Sequence, residues 1–373
     1  MTCKATNVPP AAAIDIPATR AKYFEERDKR IKKEHNDQYI EAKGMWADMY
    51  ETDPYTPVAP REPVDGETDV VILGAGYCGM MVAHGLKEAG LHNFHIVDHA
   101  GDFGGTWYWN RYPGIQCDND AYCYMPLLEE TGYMQSKKFT DGYEIFENFQ
   151  IIAKQFNLYG NALFHTLIRG LEWDASINRW HVRTNRGDDI KARFVVIANG
   201  PLNKPKLPGI PGIENFKGKI FHTARWDYDY TGGEWRNPEL NKLADKKVAI
   251  IGTGATSIQV VPHLGKYAGQ TYVIQRTPSS VDLRSNKPTD VEWFKSLKPG
   301  WQNERIKNFH RFVFEMPDRG EPDMIQDIWT EISRNVSAEM EAEGWPVLTP
   351  VEYAARREVM DFRVMERLRQ RCE

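Results

Sequence analysis

Two glycine-rich strings mark places where this chain could hold phosphate. Gly74-Ala-Gly76-Tyr-Cys-Gly79 follows the β-branched run Asp69-Val-Val-Ile-Leu73, and Gly252-Thr-Gly254-Ala-Thr-Ser257 follows Lys247-Val-Ala-Ile-Ile251. Such a turn needs glycine for tight curvature, for close approach of backbone to a pyrophosphate, and for packing of the next helix on the strand. The helix start then offers unpaired N–H groups to the anion. Ser257, in place of a third glycine, is small enough for the packing task. Beyond the first turn, Asp98 closes the strand Phe94-His-Ile-Val97, where a carboxylate can accept hydrogen bonds from a ribose. The corresponding strand end of the second unit carries Gln275-Arg276. A guanidinium there would bond a 2′-phosphate that a carboxylate would repel, which favours NADPH over NADH.

The elements that must position these groups read as two β-α-β units. The first runs from the strand Asp69–Leu73 through a helix over Met80–Ala89 to the strand Phe94–Val97; the second runs from Lys247–Ile251 through a helix to about Gly265 and the strand Thr271–Gln275. Between them Arg193–Ile197 reads as a buried strand, closed by Ala198-Asn199-Gly200 and a proline-rich crossover. A mixed-charge helical pattern spans Ala18–Tyr50, a solvated face on its charge runs, and ends in the proline-punctuated stretch Asp53–Pro63. After Pro278 helices are predicted near 290–312, 322–344 and 351–371, the last without a stop signal. The predicted fold class is α/β: two Rossmann-like dinucleotide-binding domains with a helical insertion, truncated at the C-terminus. The parts are an arm and linker (1–65), the first nucleotide-binding domain (66–205), the second (206–285) and the insertion (286–373).

Two further strings carry a family resemblance. Gly104-Gly-Thr-Trp107-Tyr-Trp-Asn-Arg-Tyr112-Pro113-Gly114-Ile-Gln-Cys-Asp118 resembles the flavin-proximal fingerprint of type I Baeyer–Villiger monooxygenases at every fixed position, a match expected by chance on the order of once in a million such chains. Phe216-Lys-Gly218-Lys-Ile-Phe-His222-Thr-Ala-Arg-Trp226-Asp227 resembles the second fingerprint of that family. Nitrogen- and sulfur-oxidising relatives usually carry Tyr or Phe where Trp226-Asp227 stands. The run Gln275-Arg-Thr-Pro-Ser-Ser-Val-Asp282 with Pro288-Thr-Asp290 is similar to the branch that oxidises large cyclic ketones. Asn199 departs from the Thr or Ser usual in the linker.

The resemblance implies FAD and NADPH as cofactors and a ketone and O2 as substrates, with one oxygen inserted beside the carbonyl to give an ester or lactone. It implies that Gly74, Gly76 and Gly79 hold the FAD pyrophosphate and Asp98 its ribose. Thr106, Trp107, Tyr108 and Trp109 would lie along the flavin, with Asp118 nearby, Gln116 and Cys117 toward the nicotinamide, Asn119 and Tyr124 completing the contacts, and Ile168 near adenine. Gly252, Thr253, Gly254, Ala255, Thr256, Ser257, Arg276 and Thr277 would hold NADPH. His222 orients the linker or carries a proton. Asp118 would place a catalytic arginine that the family keeps in a later segment; Arg284 and Arg311 have no motif context for that role. Little or no turnover is expected of these 373 residues alone, with a complementing chain or a binding-only fragment as further readings.

Composition narrows the remaining possibilities. A net charge of -5 supplies no basic excess for nucleic acid. The five cysteines lack C-x-x-C or zinc-ligand spacing, so neither a disulfide framework nor a metal site is expected, and a cytoplasmic setting fits. No apolar run approaches the roughly 18 residues of a membrane span.

Overall fold

A computed structural model describes residues 6–202, 204–279, 281–282 and 284–373. Its strands are β1 (Tyr39–Glu41), β2 (Asp65–Leu73), β3 (Phe94–Val97), β4 (Ala162–Leu163), β5 (Ile168–Asp174), β6 (Arg179–Thr184), β7 (Asp189–Ile197), β8 (Lys206–Pro208), β9 (Lys247–Ile251) and β10 (Gln270–Ile274). Its longer helices are α1 (Ile16–Arg30), α2 (Tyr77–Glu88), α3 (Gly142–Gln155), α4 (Ala255–Tyr267), α5 (Trp301–Phe314), α6 (Glu331–Ala342) and α7 (Pro350–Cys372). The fold is α/β with two Rossmann-like units.

Six strands form the main sheet in the order β4-β3-β2-β7-β6-β5. β3, β2 and β7 run parallel and end level, with Leu73 paired to both Val97 and Ile197. That alignment brings Gly74, Asp98 and Ala198 to one edge, the carboxyl ends where open α/β sheets bind ligands. β5–β6–β7 is an antiparallel meander on the far side. One face of the sheet packs Ile72, Phe94 and Ile96 against α2 and α3 through Met80, Ile145, Phe149 and Ile152, and the same core continues to Val260 and Leu264 of α4. The second unit consists of β9 and β10 in parallel, with α4 crossing between them.

Both β-α-β units lie within a few residues of their predicted bounds. The arm differs. Its helix stops at Arg30, where Ile31 takes an extended backbone, and the residues beyond include Asn36 and Asp37, which favour turns over helix. His35 there takes a left-handed φ of 45°. The helix predicted near 290–312 divides at Pro299-Gly300, where Gly300 takes φ 91°, into a short turn (Val291–Lys295) and α5. The helix predicted from about 322 begins only at Glu331. Asp53 and Arg61 make the linker part of the body. Asp53 accepts from the Tyr108 hydroxyl (2.5 Å), the Gly101 N–H (3.0 Å) and His165 (2.9 Å). Arg61 grips the buried Asp188 with two bonds of 2.6 Å. Among the described residues no helix is long and apolar enough to cross a membrane.

Candidate active site

Gly74 takes φ +112°, and a Cβ on it would stand 2.5 Å from the Ala198 carbonyl oxygen. A Cβ on Gly79 would stand 1.9 Å from the Gly74 carbonyl oxygen, so neither position admits a side chain. Gly76 occupies the N-cap of α2 without a side-chain cap, which leaves the first-turn N–H groups free for an anion. Asp98 is held behind this turn: its carboxylate accepts from the Ala75 N–H (2.5 Å) and the Ala100 N–H (2.8 Å). Burial raises its pKa, and those amide bonds oppose the rise. The Thr166 N–H donates to the Asp98 carbonyl (2.8 Å), which brings the start of β5 and Ile168 to the same end of the sheet.

The string from Gly104 to Asp118 is laid across both glycine turns. The Gly104 N–H donates to the Ala75 carbonyl (3.1 Å), and a Cβ on Gly105 would touch the Gly76 Cα at 2.8 Å. Further along, a Cβ on Gly114 would meet His263 (2.7 Å) and the Gln259 carbonyl (2.8 Å) of α4. Tyr112 donates to the Gln259 side chain (3.0 Å), which donates in turn to the Gln116 carbonyl (3.0 Å). One loop thereby ties the first unit to the second.

Side chains on this string divide by direction. Thr106 is exposed at the turn. Trp107 donates to the Tyr124 hydroxyl (2.8 Å), and burial pushes that phenol up to about 12. Tyr108 is fully buried, and its hydroxyl bonds Asp53 and Thr56. Trp109 lies under the Arg225 guanidinium at 3.6 Å, and burial brings Arg225 down to about 10. Gln116 donates to Asp141 (2.7 Å). The buried Cys117 thiol donates to Asn119 (2.9 Å) and is pushed up to about 12, chiefly by burial, so it stays protonated.

Asp118 is half-exposed, and Arg284 stands 4.0 Å away. Arg284 also donates to the Cys117 carbonyl (3.3 Å). Two residues on, Asn286 exchanges hydrogen bonds with the Phe139 backbone (3.0 and 2.9 Å) and fixes the segment. Trp329 of the insertion donates to the Asp118 carbonyl (2.7 Å). Beneath them the buried Asp120 pairs with Arg305 at 2.6 Å. Sequence motifs point to none of these partners. His222 caps a turn: its Nδ1 accepts from the Ala224 N–H (3.1 Å), and burial with the nearby Arg225 lowers its pKa, so it is neutral at pH 7. Trp226 is buried and donates to Thr231 (3.1 Å).

In the second unit Gly252 (φ +102°) and Gly254 have open space where a Cβ would stand, and α4 starts at Ala255 without a side-chain cap. Thr256 is partly exposed on its first turn, and Ser257 is buried against the strand. Thr253 accepts from Gln275 (3.0 Å) and donates to the Thr277 carbonyl (3.3 Å). Arg276 donates to Gln38 and, at 3.0 Å, to the Tyr39 hydroxyl.

The model of the flavin-binding monooxygenase-like family matches residues 67–292, more than half of the sequence. The chain belongs to this family. Among curated members, neopentalenolactone D synthase of Streptomyces avermitilis is 47% identical over 361 residues, which are 96% of this chain and 60% of that protein. A Baeyer–Villiger monooxygenase of Stachybotrys chlorohalonatus is 48% identical over 361 residues, 57% of its length. The solved polycyclic ketone monooxygenase of Thermothelomyces thermophila superposes with a TM-score of 0.84 at 38% identity, over 94% of this chain and 60% of that one. A steroid monooxygenase solved with NADP superposes at 0.58 with 34% identity, over 69% of this chain and 47% of that one. This family member thus spans about 60% of the length of the curated relatives it matches. Those relatives are single chains, so the expectation of a separate complementing chain is not supported.

Proposed function

We propose that the protein serves an FAD- and NADPH-dependent monooxygenase that inserts one oxygen of O2 beside a ketone carbonyl, on a bulky or cyclic ketone, giving an ester or lactone. The observation that carries this reading is the loop from Gly104 to Asp118, which rests on the first glycine turn at one end and on α4 at the other. The first turn fits a pyrophosphate: it excludes any Cβ at Gly74 and Gly79 and leaves the start of α2 uncapped. The second fits a dinucleotide through its open glycines and the uncapped start of α4.

Bound FAD, reduced by NADPH, would supply the oxygen-transfer chemistry; the chain positions, shields and sets charge. In this reading Gly74, Gly76 and Gly79 offer backbone to FAD, and Asp98 holds the turn in shape while keeping lone pairs for a ribose. Trp107 and Tyr124, a bonded pair, would stand beside the flavin. Gln116, Cys117 and Asp118 face the nicotinamide end, and Arg284 compensates the Asp118 charge. A cytoplasmic location accords with the free cysteines among the described residues.

Flavin content after desalting tests the reading: near-stoichiometric flavin, bleached anaerobically by NADPH faster than by NADH, supports it. Protein that folds but retains no flavin overturns it. Product analysis on a cyclic ketone and a thioether then separates lactone formation from sulfoxidation.

A further inference from the structure

α1 buries none of its residues, yet one of its faces borders a cleft. Tyr23, Arg27 and Arg30 share that face at helical spacing and line a cleft of about 470 Å³. Arg276 and Thr277, just past β10, line the other side, and the chain between Ile31 and Tyr39 completes it. Arg27, Arg30, Lys32 and Arg276 all line this cleft, His35 joins them, and among the described residues no carboxylate does. Asp28 and Glu26 pair with Arg27 (2.7 Å) and Arg30 (3.7 Å) without lining it.

The arm is tied down on both sides of α1. β1 pairs antiparallel with β8, and the Gly209 N–H donates to the Gln38 carbonyl (2.9 Å), so close that a Cβ on Gly209 would stand 2.7 Å from that oxygen. At the other end Arg20 bonds Glu358 of α7 (2.6 Å), and Arg363 donates to the Pro9 carbonyl (2.7 Å). Gln38 and Tyr39 take two donors of Arg276, both as neutral acceptors, so they orient the guanidinium without cancelling its charge.

Arg27 and Arg30 each have a carboxylate partner outside the cleft, whereas Lys32 and Arg276 bring charge that no carboxylate lining the cleft offsets among the described residues. A phosphate monoester, near −2 at pH 7, suits such a cluster; a ribose hydroxyl does not. Resting on the reading of the second unit as an NADPH site, we infer that the N-terminal arm is the second half of the 2′-phosphate subsite. Arg30 and Lys32 join Arg276 in holding the dianion, and preference for NADPH over NADH is set by the arm as well as by β10.

Calorimetric titration of the whole chain with NADP+, NAD+ and 2′,5′-ADP tests this. Wild type binds NADP+ more tightly than NAD+. The double variant Arg30→Gln/Lys32→Gln, with unchanged circular dichroism, weakens NADP+ and 2′,5′-ADP by about tenfold or more, leaves NAD+ within about twofold, and flattens the salt dependence. Lys22→Gln/Lys29→Gln removes equal charge from α1 outside the cleft and leaves all three ligands as in wild type. Equal weakening by both double variants means a long-range field and overturns the inference. So does an unchanged NADP+ affinity in Arg30→Gln/Lys32→Gln while Arg276→Ala abolishes the preference; that result leaves the NADPH reading standing. Wild type without any preference for NADP+ removes both.

Discussion

The two nucleotide-binding units begin with nearly the same turn and differ in how much of the molecule closes around it. In the first, the strand behind the glycines is sealed: Val71 and Ile72 are 0% exposed, and the third glycine touches the first. In the second, Ile251 and Ile274 are each 51% exposed, and Gly252 and Gly254 have no neighbour within 4 Å of a Cβ. Parallel strands are normally covered on both faces. The glycine motif therefore specifies a turn, whereas rigidity comes from chain packed around it: Gly104–Gly105, Ala198 and α3 for the first unit, little for the second among the described residues.

Exchanging the third residue of the two turns challenges that contrast most severely. Gly79→Ser writes the second unit's residue into the first, where its Cβ must enter the Gly74 carbonyl; flavin retention after desalting is expected to fall by more than about tenfold, with a stability loss of about 3 kcal/mol. Ser257→Gly, the reverse exchange, should cost only about 1 kcal/mol. A Gly79→Ser protein that keeps stoichiometric flavin would break the comparison.

Next in size is a clamp on the first unit. Asp188 is buried, which pushes its carboxyl up, but hydrogen bonds from Arg61, Thr184 and the Val64 N–H outweigh burial and bring it down to about 2. A depressed carboxyl contributes stability that is complete above its unfolded value of about 3.9 and is lost as pH falls through the folded value. Arg61→Ala should cost about 3 kcal/mol at pH 7, and in urea melts it should flatten the loss of stability between roughly pH 4 and 2. Hydrogen exchange offers a gentler probe: β9 and β10 amides are expected to be about 2 kcal/mol less protected than those of β2 and β3. Equal protection would mean that exposure of the second sheet carries no energetic consequence.

Legibility in the sequence divides along the same line. β3 and β9 match their expected bounds because a β-branched run ended by a turn is a local signal. Arg284 carries no such signal: its neighbour Asp118 lies far back in the chain, and bonds such as those of Asn286 and Lys287 to the 138–139 backbone bring the two together. Asp53 reads as linker punctuation, yet Tyr108, His165 and Gly101 converge on it. The surroundings of Tyr108 are illegible for the same reason. Its motif position is local, but the direction of its side chain is set by a carboxylate 55 residues earlier. The arm's helix is shorter than its pattern suggests because charge spacing permits a helix without fixing its end, which falls at Ile31, ahead of the turn-favouring Asn36 and Asp37.

His222 gives the smallest effect and bears on the linker between the two units. As a cap, its neutral Nδ1 accepts the Ala224 N–H, so Asn should replace it and Ala should not. His222→Ala is expected to cost about 1 kcal/mol and His222→Asn about half that or less. Burial, with Arg225 beside it, lowers the pKa, so the folded state favours the neutral ring. The contribution is then present above the unfolded value of about 6.5 and declines as pH falls below it, a dependence that His222→Asn should remove. A proton carrier would behave differently: in holoenzyme assays His222→Asn would erase a limb of the pH–rate profile, whereas a cap leaves that profile as in wild type. Only the capping role ties the histidine to the angle at which Trp226 and Thr231 lead the chain from the first unit into the second.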